Sequence, residues 1–352
     1  MPSVPSSEII GWFADIGLSD RPTVGGKGGS LGELTRASIP VPPGFVVRTA
    51  AFERFLNELE RQEPIRAKVE ALGPDEFERI TAHAQHLRAR IESAPLPDGV
   101  SSAILAAHTE LCRERSIAPL AVRSSATTED AADASFAGLQ DTYLWTVGVE
   151  SILRCVRSCW ASLYSVPSIA YRRKHVLPES GVAMAVVVQA MVNARKAGVM
   201  FTRSPLTGDR SVITIEGSWG LGSSVVSGEV TPDRFVIAKI TGEISVREIS
   251  DKHIQHVPAS GGGVSEIETP EDERRIPCLS DEELASLRDI ARKVERHYGR
   301  PQDIEWAIDH AGKIMLLQSR PETVWSSKEK APVAKPVENP IQHVMKIFGG
   351  RG

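Results

Sequence analysis

The stretch Thr23–Leu34, "TVGGKGGSLGEL", sets four glycines around Lys27 and then runs into a helical pattern. A glycine-rich turn entering a helix offers backbone N–H groups and the positive end of the helix dipole, which suits an anion. Two standard phosphate loops are excluded. A P-loop needs glycine, four residues and then Gly-Lys-Ser/Thr, whereas Gly28 follows Lys27 and Arg21 stands where the first glycine belongs. A dinucleotide fingerprint read from Gly26 would need glycine at Leu31. Either a more general phosphate cradle or an ordinary glycine-rich turn remains, and the rest of the chain has to decide.

The 352 residues suffice for two or three packed subdomains. A net charge of -4 argues against a general nucleic-acid binder and against a basic membrane-surface protein. The N-terminal "MPSVPSSEIIGWFADIG" lacks a basic segment followed by an apolar run, and no run of about 18 apolar residues occurs, so a soluble cytoplasmic protein is expected. Cys112, Cys155, Cys159 and Cys278 are too scattered for a disulfide framework. Cys155 and Cys159, four apart, read either as a metal pair or, because no second ligand pair follows, as buried core.

Helical periodicity dominates the first half. "TAAFERFLNELE" offers Thr49 as an N-cap and then Phe52, Phe55, Leu56 and Leu59 on one face. "ESILRCVRSCWASLYS" places Ile152, Val156, Cys159 and Leu163 on another core stripe. From about Gly181 the pattern turns to β-branched or alternating runs split by Gly, Pro, Asp and Asn, as in "GVAMAVVVQAMV", "SVITIEGS" and "KIMLLQS", which predicts antiparallel strands. One helix interrupts them, opened by a capping box from Ser280 to Glu283 and stopped at Gly299. After "QSRPETVW" comes a Pro- and Lys-rich linker and the short apolar "IQHVMKIFGG".

Three further stretches carry chemistry. In "AVRSSATTEDAADASFAGLQDTY" a strand delivers Arg123, whose fork suits phosphate, ahead of a run of small and hydroxyl residues; the alternative is a surface loop with a solvated arginine. In "DIEWAIDHAGKIMLLQSRP", alternation puts Asp303, Glu305 and Ala307 on one face, and a turn at "DHAG" leads to Leu316, Gln318 and Arg320 on one face. A hairpin gathering a carboxylate, an amide oxygen and a guanidinium fits Mg²⁺ on phosphate oxygens, unless it is an edge hairpin with a charged outer face. Glu216 is placed at a strand end in "IEGSWGLGSS", and Gln189 is a polar residue amid apolar neighbours that either satisfies a core hydrogen bond or faces a ligand. Glu229 and Asp233 form a second acidic cluster readable as turn chemistry. The nine histidines show no HExxH and no Cys/His clustering, so surface and capping roles are expected of them.

Taken together, "VGGKGGSLGEL", "IPVPPGFVV", "AVRSSATTED", "SFAGLQDTY", "VVVQAMV", "AGVMFTRSP", "GSWGLG", "SGEVTPDRF", "DIEWAI" and "LLQSRPET" resemble, in order, the N-terminal nucleotide-binding domain of the phosphoenolpyruvate synthase and pyruvate phosphate dikinase family, which also includes rifampin phosphotransferase. The resemblance runs from about Val24 to Thr323. It implies an α+β ATP-grasp fold: residues 1–205 as one subdomain, 206–325 as a second, and 326–352 as linker and tail. It implies ATP and Mg²⁺ as cofactors, with Lys27 and Arg123 on the ATP phosphates, Thr128, Ser135 and Gly138 in a mobile loop above them, and Gln189 with its neighbours lining the adenine and ribose pocket. Glu216 joins the nucleotide-binding set, Glu305 and Gln318 would hold Mg²⁺, and Arg320 would stabilise charge on the transferring phosphoryl group.

Departures from the pattern are Leu139, Ser204 and Ser223, where the family usually has Gln, an acidic residue and Glu. In the family a swivelling domain with a phosphorylatable histidine follows Arg320, and His343 in "NPIQHVMKIF" lacks that histidine's glycine-rich, hydroxyl-preceded setting. The expectation is therefore an ATP-cleaving subunit whose separate partner carries the histidine and binds a small-molecule acceptor, as in phenylphosphate synthase and 4-methylbenzyl phosphate synthase. The alternatives are a truncated rifampin phosphotransferase or phosphoenolpyruvate synthase, and a nucleotide-sensing module without turnover.

Overall fold

Apolar residues spaced to one face build the helices, and the buried stripes pack on a sheet or, like Ile80, Ala84, Leu87 and Ile91 of the helix Phe77–Ser93, against other helices. The computed structural model describes residues 6–115, 119–127, 141–323 and 325. Thr128, Ser135, Gly138, Leu139, His343 and the linker lie outside these residues.

The first sheet contains β1 (Ile10–Trp12), β2 (Gly44–Val47), β3 (Pro119–Ala126), β4 (Thr142–Val147) and β5 (Met184–Ala190), in the order β1-β2-β5-β3-β4. All its pairings are antiparallel. Phe52, Phe55, Leu56 and Leu59 of the helix Thr49–Glu60 are buried, as are Ile152, Val156, Cys159 and Leu163. Trp160 meets Phe52 edge-on, with ring centroids 5.9 Å apart, which locks the two helices together. Burial raises the thiols of Cys155 and Cys159 above their ordinary pKa. Both belong to this core, so the metal-pair reading gives way to packing.

The second sheet contains β6 (Ala194–Phe201), β7 (Val212–Trp219), β8 (Asp233–Ala238), β9 (Ile244–Glu248), β12 (Gln302–Asp309) and β13 (Ile314–Pro321), in the order β13-β12-β6-β7-β8-β9 and antiparallel throughout. Between β9 and β12 lies a separate hairpin of β10 (Ile254–Pro258) and β11 (Val264–Glu268). The helix Asp281–Tyr298 covers this sheet with Leu284, Leu287, Ala291 and Val294. Its ends are as the sequence indicates: Ser280 and Glu283 cap each other, and Gly299 closes it in the left-handed region. The chain changes sheets between Ala190 and Ala194, because β6 pairs with β7 and β12, so the strand expected within residues 1–205 builds the second sheet.

The glycine-rich stretch is not a loose loop. Residues Arg21–Arg36 form one helix interrupted at Gly25, which has φ +72°. A Cβ there would collide with the Ser125 carbonyl, so glycine is required both by conformation and by space. The Ser125 hydroxyl donates to the Val24 carbonyl at 2.9 Å and accepts from Gly28 N–H at 3.2 Å, satisfying backbone groups that the kink leaves without helical partners. The same helix reaches the other subdomain, where Ser30 donates to the Ser319 carbonyl at 2.5 Å. It is a wedge tied to both sheets.

Candidate functional site

Between the two sheets runs a cleft of about 540 Å³. Ala194, Ala197, Leu221 and Ala307 cluster in it, with Met191, Val192 and Leu317 packed against them. Apolar walls with a few polar groups at one end are what a small flat ligand needs, and the size falls within the usual range of about 300–1,000 Å³. Gln189 lines this cleft and is 2% exposed; its amide also donates to the Pro42 carbonyl at 3.4 Å. Gln189 thus satisfies a hydrogen bond within the core and also borders the cleft.

At the polar end, Arg123 of β3 crosses from the first subdomain to the second. Its guanidinium donates to Glu305 Oε2 at 2.8 Å, to Gln318 Oε1 at 2.7 Å and to the Leu317 carbonyl at 3.0 Å. Arg123 Nε is buried with no hydrogen-bond partner, an unused donor beside the cleft. The structure thus brings Arg123 to Glu305 and Gln318, 182 and 195 residues further along the chain.

A β-bulge explains how the hairpin does this. Glu305 pairs with Gln318 and Trp306 with Leu316, so Leu317 is the extra residue on β13. Leu316 consequently turns into the core with Trp306 rather than sharing a face with Gln318 and Arg320, which corrects the simple alternation expected from sequence. The Leu317 carbonyl accepts from Arg123.

Arg320 stands opposite Asp303, with Nε 3.6 Å from Asp303 Oδ2 and its side chain 55% exposed. Asp303 is held up to about 6, chiefly by burial, with Glu322 adding repulsion and Arg320 opposing both. Its Oδ1 is buried without a hydrogen-bond partner. Sequence alternation put Asp303 on this face but gave it no role; its local burial was the missing signal.

Lys27 occupies the helical turn that follows Gly25, three residues before Ser30, on the helix that packs against β3 and β13. Its charge pulls against the burial that raises the Cys159 thiol. Glu216 lies in the middle of β7 rather than at its end, opposite Val199, which in turn lies opposite Glu305. One intervening strand therefore separates Glu216 from Glu305, and Glu216 does not line the cleft. Asp233 belongs to a buried ion pair with Lys252 at 2.7 Å and not to any acidic cluster.

The sequence matches the family model described as "Pyruvate phosphate dikinase, AMP/ATP-binding domain" over residues 21–340. The chain belongs to this family. Among its relatives, a probable phosphoenolpyruvate synthase of Methanothermobacter thermautotrophicus is 42% identical over 318 residues, covering 90% of this chain and 46% of that protein. A probable phosphoenolpyruvate synthase of Methanocaldococcus jannaschii is 38% identical over 346 residues, covering 98% of the chain and 29% of the relative. The phosphoenolpyruvate synthase of Pyrococcus furiosus is 37% identical over 384 residues, covering 97% and 47%. This dikinase-family ATP-binding domain spans less than half the length of each of these relatives. Among its described residues, no helix is long and apolar enough to cross a membrane.

One prediction concerns Glu216. Burial raises its carboxyl above the ordinary range, against the pull of Arg234. A raised carboxylate contributes stability that is present at acid pH and lost as pH rises through the folded pKa. Glu216→Gln is therefore expected to raise the urea midpoint at pH 8, with the difference from wild type closing below about pH 4. Equal midpoints at pH 8 would show that the burial carries no such penalty.

Proposed function

We propose that this chain binds ATP across the cleft and cleaves it to phosphorylate a histidine carried by a separate partner subunit. The supporting observation is Arg123 of one subdomain meeting Glu305 and Gln318 of the other at the polar end of an apolar cleft. The base lies between the apolar walls near Gln189, and the phosphates point toward Lys27 and Arg123. Thr128, Ser135 and Gly138, outside the described residues, complete the proposed nucleotide-binding set.

Two side-chain oxygens that converge on one guanidinium nitrogen make a hard-oxygen donor set, and this fits Mg²⁺. Glu305 and Gln318 would hold the ion, which would supply neutralisation of charge on the phosphate oxygens. Arg123 then turns from its carboxylate partner to phosphate. Arg320, on the same hairpin and exposed, meets the charge that develops on the transferring phosphoryl group. The partner histidine attacks the β-phosphorus, AMP departs and water takes the γ-phosphoryl as phosphate. The phosphohistidine then serves a small-molecule acceptor bound by the partner, and a phenol such as phenol or 4-cresol is the class we favour.

The test supplies the histidine domain of a phosphoenolpyruvate synthase in trans with β-labelled ATP. AMP together with acid-labile label on that domain is the expected result, and Glu305→Gln should abolish both. Binding of ATP without AMP formation, with this domain or with any histidine-bearing subunit encoded beside the chain, would make the protein a nucleotide sensor instead.

A further inference from the structure

We propose that Glu229, His256 and Glu266 form a binding site for a divalent transition metal of the zinc class, sharing no residue with the Arg123 cluster. His256 on β10 and Glu266 on β11 are direct cross-strand partners, so their side chains leave the hairpin on one face. Glu229 follows the short helix Ser223–Val226 and brings Oε2 to 3.0 Å from His256 Nε2. One ligand atom from each residue lies within 4.8 Å of the other two. One imidazole nitrogen and two carboxylate oxygens leave a coordination position open, the donor count of a three-ligand zinc site.

The ring is oriented before any metal arrives. Ser223 Oγ sits 2.8 Å from His256 Nδ1, which leaves Nε2 as the nitrogen facing the carboxylates. The backbone beneath it is also fixed, because Leu221 N–H donates to the His256 carbonyl at 2.8 Å and Gly220, at φ +75°, leaves no room there for a side chain. A second observation is the space beside the ring. An open groove of about 690 Å³, lined by Ser223, His256, Glu266 and the hairpin turn at Gly261 to Gly263, leaves room for water or another ligand at the open position. Two carboxylates around one imidazole give an excess of negative charge that a dication neutralises. The nitrogen donor selects zinc over magnesium, which prefers oxygen alone.

The test uses the full chain, stripped with chelator and free of nucleotide, titrated with Zn²⁺ in competition with a chromophoric chelator. One equivalent should bind, and Mg²⁺ in large excess should not displace it. His256→Ala should abolish the equivalent and Glu266→Gln should weaken it. Ser223→Ala, which removes only the orienting hydroxyl, should weaken it by about tenfold or more. His297→Ala, at the separate pair with Glu33, should bind like wild type. Circular dichroism checks that each variant is folded; Glu266→Gln, at an exposed position, keeps the test available if His256→Ala does not fold. Absence of a bound equivalent in wild type, displacement by Mg²⁺, or wild-type affinity in both His256→Ala and Glu266→Gln would overturn the proposal.

Discussion

Arg320→Ala should slow ATP cleavage by about 10³-fold while leaving ATP affinity within a few-fold of wild type. The Arg320 side chain is more than half exposed and its ion pair with Asp303 is loose at 3.6 Å, while Asp303, held up to about 6 by its own burial, can take a proton when the guanidinium is gone, so the removal costs the fold little. Its place on the hairpin, two residues beyond Gln318, suits a charge that matters only when the phosphoryl group is in transit. Quenched-flow measurement of AMP with the histidine domain present, beside equilibrium ATP titration, separates the two effects. Loss of affinity with unchanged turnover would reassign Arg320 to ground-state binding.

Arg123→Ala should have the other large effect, and this one appears in stability as well as in nucleotide affinity. Removing the guanidinium leaves Glu305, Gln318 and the Leu317 carbonyl facing a gap between the subdomains, at a cost of about 2 to 3 kcal/mol. ATP affinity should fall at least about tenfold, since a charge-assisted hydrogen bond is worth about 1.5 to 3 kcal/mol. Arg123→Lys should recover little, because one ammonium cannot reproduce a planar fork that meets three acceptors at once. Thermal melts and ATP titration decide this, and a variant that binds ATP as tightly as wild type would remove Arg123 from the site.

Much of this was legible in the sequence where periodicity is local. The stripes Phe52, Phe55, Leu56, Leu59 and Ile152, Val156, Cys159, Leu163 are buried as their spacing indicates, and the capping box at Ser280 and the stop at Gly299 stand where local chemistry places them. Arg123 and the hairpin carrying Glu305, Gln318 and Arg320 could be singled out because polar groups at strand positions are uncommon there, and the ordered motifs tied them to one family. What was not legible depends on pairings between distant segments. The kink at Gly25 is supported by Ser125, about a hundred residues away, so a helix with a break looked like a loop. The His256 cluster exists only because β10 and β11 register His256 against Glu266 while the turn after Val226 delivers Glu229. The change of sheet before β6 follows from strand order, which alternation along one strand does not encode.

Leu317 sets the phase of β13. Before it the strand presents Leu316 to the core, and after it Gln318 to Arg123, so the two halves run out of step by one residue. Shortening the strand there by a single residue would restore an uninterrupted ladder and leave the hairpin pairable. It would keep Gln318 beside Glu305 and Leu316 beside Trp306, since neighbouring residues of a regular strand face opposite ways, and would take away the Leu317 carbonyl that Arg123 uses. The extra residue thus serves the contact between the subdomains rather than the pairing of the hairpin, which could close without it.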